Sequence, residues 1–299
     1  MHWVLFLIIA YFFIALTALA DKFLISKSLP SVVYAFFIST LGLAAILLAP
    51  FGLYWPGWWQ IGLTAVAGIA YTLAVFFLYE ALHYSEASRV FAISGSLASI
   101  ITLFLSWLFL SSELGLNEII GFIFLLAASV LISFEFTGVK VDKRGLWLAA
   151  LTAVAFGISY TATKEIYTDQ GFISGFIWIR IFAFIGILFF LLTATNRRRL
   201  KIALSEQSPM ASWFNRVILF AGQAAAGVGF LLLNYAISLT APALVLAGQG
   251  LQYVFLFLAA GFLSHYFPKI FKESLSRQAM IQKSLAVVLI GIGLVVLAL

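Results

Sequence analysis

The sequence predicts an all-α integral membrane protein: ten transmembrane helices arranged as two inverted five-helix repeats. Three observations carry this. Hydrophobic residues make up 64% of the 299 positions and charged residues only 9%, against about 25% charged in an ordinary soluble domain. A membrane span needs roughly 20 mostly apolar residues. Ten such stretches lie near 2–20, 31–50, 59–82, 90–111, 118–136, 145–163, 173–195, 216–239, 243–264 and 283–299. Runs this long are not a soluble-core pattern, and no polar stretch is left for a separate soluble domain. The chain also repeats itself at half length. Residues 78–110 and 233–265 align without a gap at a shift of 155, which places Ala81 on Ala236, Ser85 on Thr240 and Gly95 on Gly250. Each half then holds an odd number of spans, so the second half must enter the membrane upside down. The units are residues 1–136 and 145–299, related by a pseudo-two-fold axis in the membrane plane.

The charges of the connections give the orientation. Of the 17 lysines and arginines, 15 fall in connections on one side. They are Lys22 and Lys27, Arg89, then Lys140, Lys143 and Arg144, the cluster Arg197, Arg198, Arg199, Lys201 and Arg216, and finally Lys269, Lys272, Arg277 and Lys283. Lys164 lies on the other side and Arg180 inside the seventh span, while 51–58 and 240–242 carry no basic residue. Basic short loops stay in the cytoplasm, so both termini are expected outside. The net charge of +6 is thus an orientation signal, and its scatter over short loops argues against nucleic-acid binding. Trp55, Trp58 and Trp59 crowd the uncharged 51–60 connection, with Trp3 and Trp147 near other span ends. This is the headgroup level that Trp prefers.

Met1-His2-Trp3 lacks the basic start of a signal peptide, so the first span is expected to be retained. Residues 196–215 read as a loop. Residues 265–282 mix apolar and basic positions at helical spacing and read as a short amphipathic helix at the cytoplasmic interface, with a cytoplasmic partner site as the other reading.

The sequence holds no cysteine, which removes disulfides, thiol catalysis and cysteine metal sites. It has no HExxH, GxSxG, P-loop or DxD motif, and its three histidines, His2, His83 and His265, sit at separate span ends. No enzyme, cofactor or ATP-hydrolysing domain is expected.

The run Tyr79-Glu80-Ala81-Leu82-His83-Tyr84-Ser85-Glu86-Ala87-Ser88 resembles the span 3–4 junction of the EamA-like branch of the drug/metabolite transporter superfamily. Glu113-Leu114 followed by Glu118-Ile119-Ile120-Gly121 is similar to its entry into span 5. Ile177-Trp178-Ile179-Arg180 resembles the family's arginine position in the second span of a repeat, and Lys22 and Lys164 resemble the lysine that closes the first span. The resemblance runs over the whole chain. It implies two five-helix bundles and a central cavity lined by spans 1, 3, 4, 6, 8 and 9. It gives the arginine a structural or gate-side place. Members often keep both termini in the cytoplasm, from which this chain's loop charges depart.

The faces of those spans can be read without the family. Tyr11, Ala15, Ala18 and Lys22 share a face of span 1, and Ala153, Gly157, Tyr160 and Lys164 repeat the same steps in span 6. Tyr71 and Tyr79 share a face of span 3; Gln223, Gly227, Phe230 and Asn234 share one of span 8; Gln249 and Gln252 share one of span 9, and Ser94, beside Gly95 and Ser96 in span 4, is the repeat mate of Gln249. Polar groups avoid lipid, so these faces look into protein or water. Tyr11, Tyr71, Tyr79, Ser94, Tyr160, Gln223, Asn234, Gln249 and Gln252 are therefore the candidate substrate contacts, helix–helix hydrogen bonding being the plainer role for each. Gly248 and Gly250 would let the helix break beside the glutamines and expose backbone groups.

Lys22, Glu80, Lys164 and Arg180 are the candidate gate or coupling charges. Helix-end anchoring, pairing of Glu80 with Arg89 or a lysine, and snorkelling of Arg180 are the alternatives. The expectation is a multi-pass protein of a prokaryotic plasma membrane, acting as a secondary transporter in the export direction. Its partners are the lipid bilayer and a small polar solute such as an amino acid, driven by the solute gradient or by a proton or cation. A lipid or lipid-linked sugar flippase and a non-transporting scaffold are the other readings.

Overall fold

The computed structural model describes residues 2–25, 30–85, 87–112, 114–133, 142–203, 213–266 and 277–297. Among them the chain is helical, with no strand. The elements are α1 (His2–Ile25), α2 (Ser31–Gly42) with its 3-10 continuation Leu43–Phe51, α3 (Trp58–Ala81), α4 (Ala87–Leu110), α5 (Leu116–Ser133) and α6 (Lys143–Gln170). There follow α7 (Phe172–Phe190), α8 (Ala194–Ala203), α9 (Trp213–Leu239), α10 (Pro242–Ala247), α11 (Gly250–Tyr266) and α12 (Arg277–Val296). Seven helical stretches are long and apolar enough to cross a membrane, in α1, α2 with its continuation, α3, α4, α6, α7 and α9. Three shorter apolar stretches, Leu116–Leu131, Pro242–Leu256 and Ser284–Val296, fall at the remaining expected positions.

Local sequence sets the joints. Pro30 caps α2 in extended conformation, where its missing N–H costs nothing. Gly171, at φ +68°, is the whole link between α6 and α7; that conformation favours glycine. The second span tightens into a nine-residue 3-10 stretch ending at Pro50-Phe51-Gly52, long for a winding that rarely exceeds four residues.

One expectation needs correction. Residues 196–215 do not form a simple loop, because Ala194–Ala203 is the helix α8. Its arginines face outward while Leu200 and Ala203 are buried in one cluster with Val32 and Val33 of α2. Only the position of α2 reveals that this short basic helix has an apolar partner. Residues 267–276, the core of the expected interfacial helix, lie outside the described residues.

Close helix crossings are made where side chains are smallest. A Cβ on Gly68 of α3 would lie 2.6 Å from the Ile179 carbonyl oxygen and 2.7 Å from the Ala183 nitrogen of α7. Thr72 donates to the Ala183 carbonyl at 2.7 Å, and Ser159 of α6 to the Ala67 carbonyl at 2.9 Å. α1 meets α9 likewise: Gly229 faces the Ala10 carbonyl, and Thr17 donates to Gly222 at 3.1 Å. α5 and α12 run antiparallel, since Gln282 at the start of α12 donates to Leu131 near the end of α5. Their contact is reciprocal. Gly121 receives Leu297, and Gly293 receives Leu125.

Candidate functional site

These crossings hold the helices apart around a cavity of about 540 Å³, within the range that takes small ligands. Its wall comes from α1, α2 and the 3-10 stretch, α3, α4, α6, α7, α9 and the α10–α11 joint. The contributions are uneven along each helix. α3 gives Tyr71, Val75, Leu78 and Tyr79 from its C-terminal half, and α4 gives Phe91, Ser94, Gly95 and Ala98 from its N-terminal half. The cavity thus reaches toward the α3–α4 turn, the side of the basic connections, while Phe176 near the start of α7, Leu246 of α10 and Leu48 late in the 3-10 stretch carry it toward the other end. Leu47 and Val228 border it while remaining 78% and 43% exposed, so it also reaches the flank of the bundle.

The far ends of α3, α6 and α7 are tied together. Gln60 at the start of α3 donates to the Asp169 carboxylate at the end of α6. Gln170 donates to the Gln60 side chain at 3.1 Å and to Thr64 at 3.2 Å. Ser174 and Trp178 both donate to the Tyr54 carbonyl, at 3.2 and 3.0 Å, and Trp55 packs edge-on against Trp58 and Trp178.

Tyr11, Tyr71, Tyr79, Ser94, Tyr160, Gln223, Gln249 and Gln252 all border this one cavity. Asn234 does not. It accepts a hydrogen bond from the Tyr167 hydroxyl at 2.9 Å and donates to the Phe230 carbonyl at 2.9 Å. It shares a face with Gln223 three turns further along α9, where its neighbour Leu233 still borders the cavity, but its own amide is turned to Tyr167 and Phe230.

Of the candidate charges, Lys164 caps a helix: its ammonium donates to the Ile237 and Ser238 carbonyls at 3.3 and 3.1 Å, at the C-terminal end of α9. There both the free carbonyls and the helix dipole favour a cation. Glu80 accepts from the Ser31 hydroxyl at 2.7 Å, which ties α3 to the start of α2. The side chain of Lys22 and that of Arg89 lie outside the described residues.

The helix does break beside the glutamines. Gln249 bonds back to Leu246 instead of Val245, and Leu251 to Gly248 instead of Ala247. The two carbonyls thus released are not offered to a ligand: the Tyr11 hydroxyl donates to Val245 and the Ser129 hydroxyl to Ala247, each at 2.9 Å. Each bond contributes about 1 kcal/mol and fixes the joint. The break turns Gln249 and Gln252 to the cavity. The Gln249 amide lies on Gly95 of α4, filling the space where a Cβ would stand, and its nitrogen is 3.4 Å from the Tyr253 hydroxyl.

Arg180 does not snorkel. It is 4% exposed and borders the cavity. Its guanidinium carbon lies 4.1 Å from the Phe230 ring centroid, 4.4 Å from Tyr71 and 5.4 Å from Phe176. Desolvated contacts of this kind offset part of the cost of burying the charge. Gly42 makes room for the stem, since a Cβ there would stand 3.2 Å from the Arg180 Cδ.

Gly42 belongs to a part of the wall the sequence did not signal. α2, its 3-10 continuation and α7 join the six spans expected to line the cavity. The α2 contribution is wholly apolar and so carries no polar mark in the sequence.

Comparison with known proteins agrees with this architecture. Residues 1–134 match the EamA-like transporter family. The EamA-like segment covers α1–α5 and includes the Tyr79–Ser88 junction. The family is part of the drug/metabolite transporter superfamily, a transporter family and not an enzymatic one. A solved crystal structure of another protein superposes with a TM-score of 0.66 at 17% identity, over 96% of this chain and 94% of that one, which is a likeness of fold. No curated protein matches at a significant level.

Proposed function

We propose that this EamA-like protein is a secondary transporter, moving a small amphipathic solute by alternating access through the central cavity. The observation that carries the reading is a cavity within the helix bundle, bordered by aromatic and amide side chains; the hydrogen bonds of Gln60 with Asp169 and Gln170, which tie the ends of α3 and α6, support a seal on its outer side. A solute can be held at such a site and released only if the seal opens. Ten spans in two inverted repeats, residues 1–136 and 145–299, supply the mechanical symmetry. The reciprocal fit of Gly121 on Leu297 and Gly293 on Leu125 supports that arrangement. A self-complementary contact between antiparallel helices is what a two-fold axis across them produces. The packing of α1 on α9 and of α3 on α6 supports it too, for the repeat exchanges these two pairs.

In this reading the basic connections are cytoplasmic, both termini are outside, and the cavity faces the cytoplasm. A site that loads from that side fits export from a prokaryotic cell. The transport force is the solute gradient, or a proton or cation gradient. An amino acid has the right size and amphipathic character; a multiply charged phosphate ester would call for more than one basic side chain in the wall. Exposure of Leu47 and Val228 at the flank supports a second reading, a flippase whose lipid substrate enters sideways.

Two experiments test this. A C-terminal alkaline phosphatase fusion is expected to be active and a C-terminal green fluorescent protein fusion dark; the reverse pair overturns the orientation. Purified protein in liposomes is expected to exchange a labelled solute found by thermal-shift screening. Scrambling of labelled lipid without solute exchange favours the flippase, and neither activity leaves a scaffold.

A further inference from the structure

Among the described residues that border the cavity, Arg180 is the only charged side chain. Its guanidinium makes ring contacts but no hydrogen bond to any described group, and its buried Nε has no acceptor. The Tyr71 and Phe230 ring centroids are only 5.1 Å apart, so the two rings form a corner against the guanidinium and cannot cover both of its faces. A buried cation left without an anion is strongly unfavourable, and a guanidinium presents a fork of donors that matches a carboxylate in two parallel bonds. The wall beyond it is aromatic: Phe156 lies 6.0 Å from Tyr71 and stacks on Tyr160 at 5.5 Å. No described aspartate or glutamate borders the cavity to take an ammonium group.

We infer that the substrate is an organic monoanion, a carboxylate on a flat apolar body, with Arg180 as its anchor. This rests on the transporter reading and narrows it within the amphipathic solutes, amino acids included, since the described wall offers an ammonium neutral acceptors and rings but no carboxylate. The carboxylate completes the donor fork of Arg180, the aromatic wall takes the apolar body, and Gln249 and Gln252 serve any neutral polar substituent.

The test is binding in detergent by calorimetry with three probes: phenylpropionate, phenylpropionamide and phenylalanine. The wild type is expected to bind phenylpropionate about tenfold or more tighter than the amide, the scale of a charge-assisted hydrogen bond, and to prefer it over phenylalanine. Arg180→Met should erase the acid-over-amide preference, and Arg180→Lys should keep a weaker one. Equal binding of acid and amide by the wild type overturns the inference, as does tightest binding of phenylalanine or a full preference in Arg180→Met. If Arg180→Met does not fold, the wild-type comparison and the reduced preference of Arg180→Lys decide. Because binding is read without a membrane, a wrong anion assignment and a wrong transporter reading give separate failures: the first loses the preference, the second loses exchange in liposomes.

Discussion

The Gln249→Ala, Gln252→Ala double variant is expected to lose about 25-fold in solute exchange while remaining folded. Both amides border the cavity, beside the break in the helix at Gly248. Each offers donors and an acceptor without a fixed charge. A hydrogen bond to a bound solute contributes about 1 kcal/mol, or about fivefold, and two independent ones multiply. The structural cost is small, for polar contacts between membrane helices average well under about 1 kcal/mol. The Gln249 contact with Tyr253 is long at 3.4 Å. Exchange rates in liposomes beside thermal melts in detergent check this. Wild-type exchange would remove the glutamines from the path, and loss of folded protein would make them packing residues.

Gly68→Leu is expected to abolish folded protein altogether. Even a Cβ at this position would stand 2.6 Å from a carbonyl oxygen and 2.7 Å from an amide nitrogen of α7. Backbone atoms inside a helix cannot step aside, so α3 and α7 must separate. The Thr72 bond to Ala183 goes with them, and so does the close approach that seats Arg180 beside Tyr71. Overpacking usually costs about 1–3 kcal/mol; a four-carbon side chain against backbone exceeds that. A Cβ on Gly62 of the same helix would meet nothing within 4 Å, so Gly62→Leu should be neutral. Size-exclusion profiles of the two variants decide. A monodisperse Gly68→Leu protein with wild-type melting would refute the crossing.

Composition alone made the membrane class legible, because ten apolar runs leave nothing else to build. The cavity was legible in part, because polar residues in a span have few places to go: Tyr11, Tyr71, Gln223 and Gln249 come from four helices to one space. What was hidden depends on distance, not on period. Asn234 keeps step with Gln223, but only the position of α6 shows that it meets the Tyr167 hydroxyl instead. Leu200 and Ala203 look like stray apolar positions in a basic loop until α2 is beside them. Arg180 at the same depth could reach the headgroups or the cavity. The corner formed by Tyr71 and Phe230, from two other helices, decides it.

In the alternating-access reading, the ends of α3 and α6 must part for solute to cross. The chain has no cysteine, so a pair can be introduced without background. Gln60→Cys with Asp169→Cys, whose native side chains are hydrogen-bonded, joins α3 to α6 through a short bifunctional thiol reagent with a cleavable disulfide. Exchange in liposomes is then measured before cross-linking, after it, and after reduction. Alternating access predicts that exchange stops on cross-linking and returns on reduction, while the single-cysteine variants are unaffected. Undiminished exchange in fully cross-linked protein would mean that solute crosses without parting α3 from α6, and would contradict it.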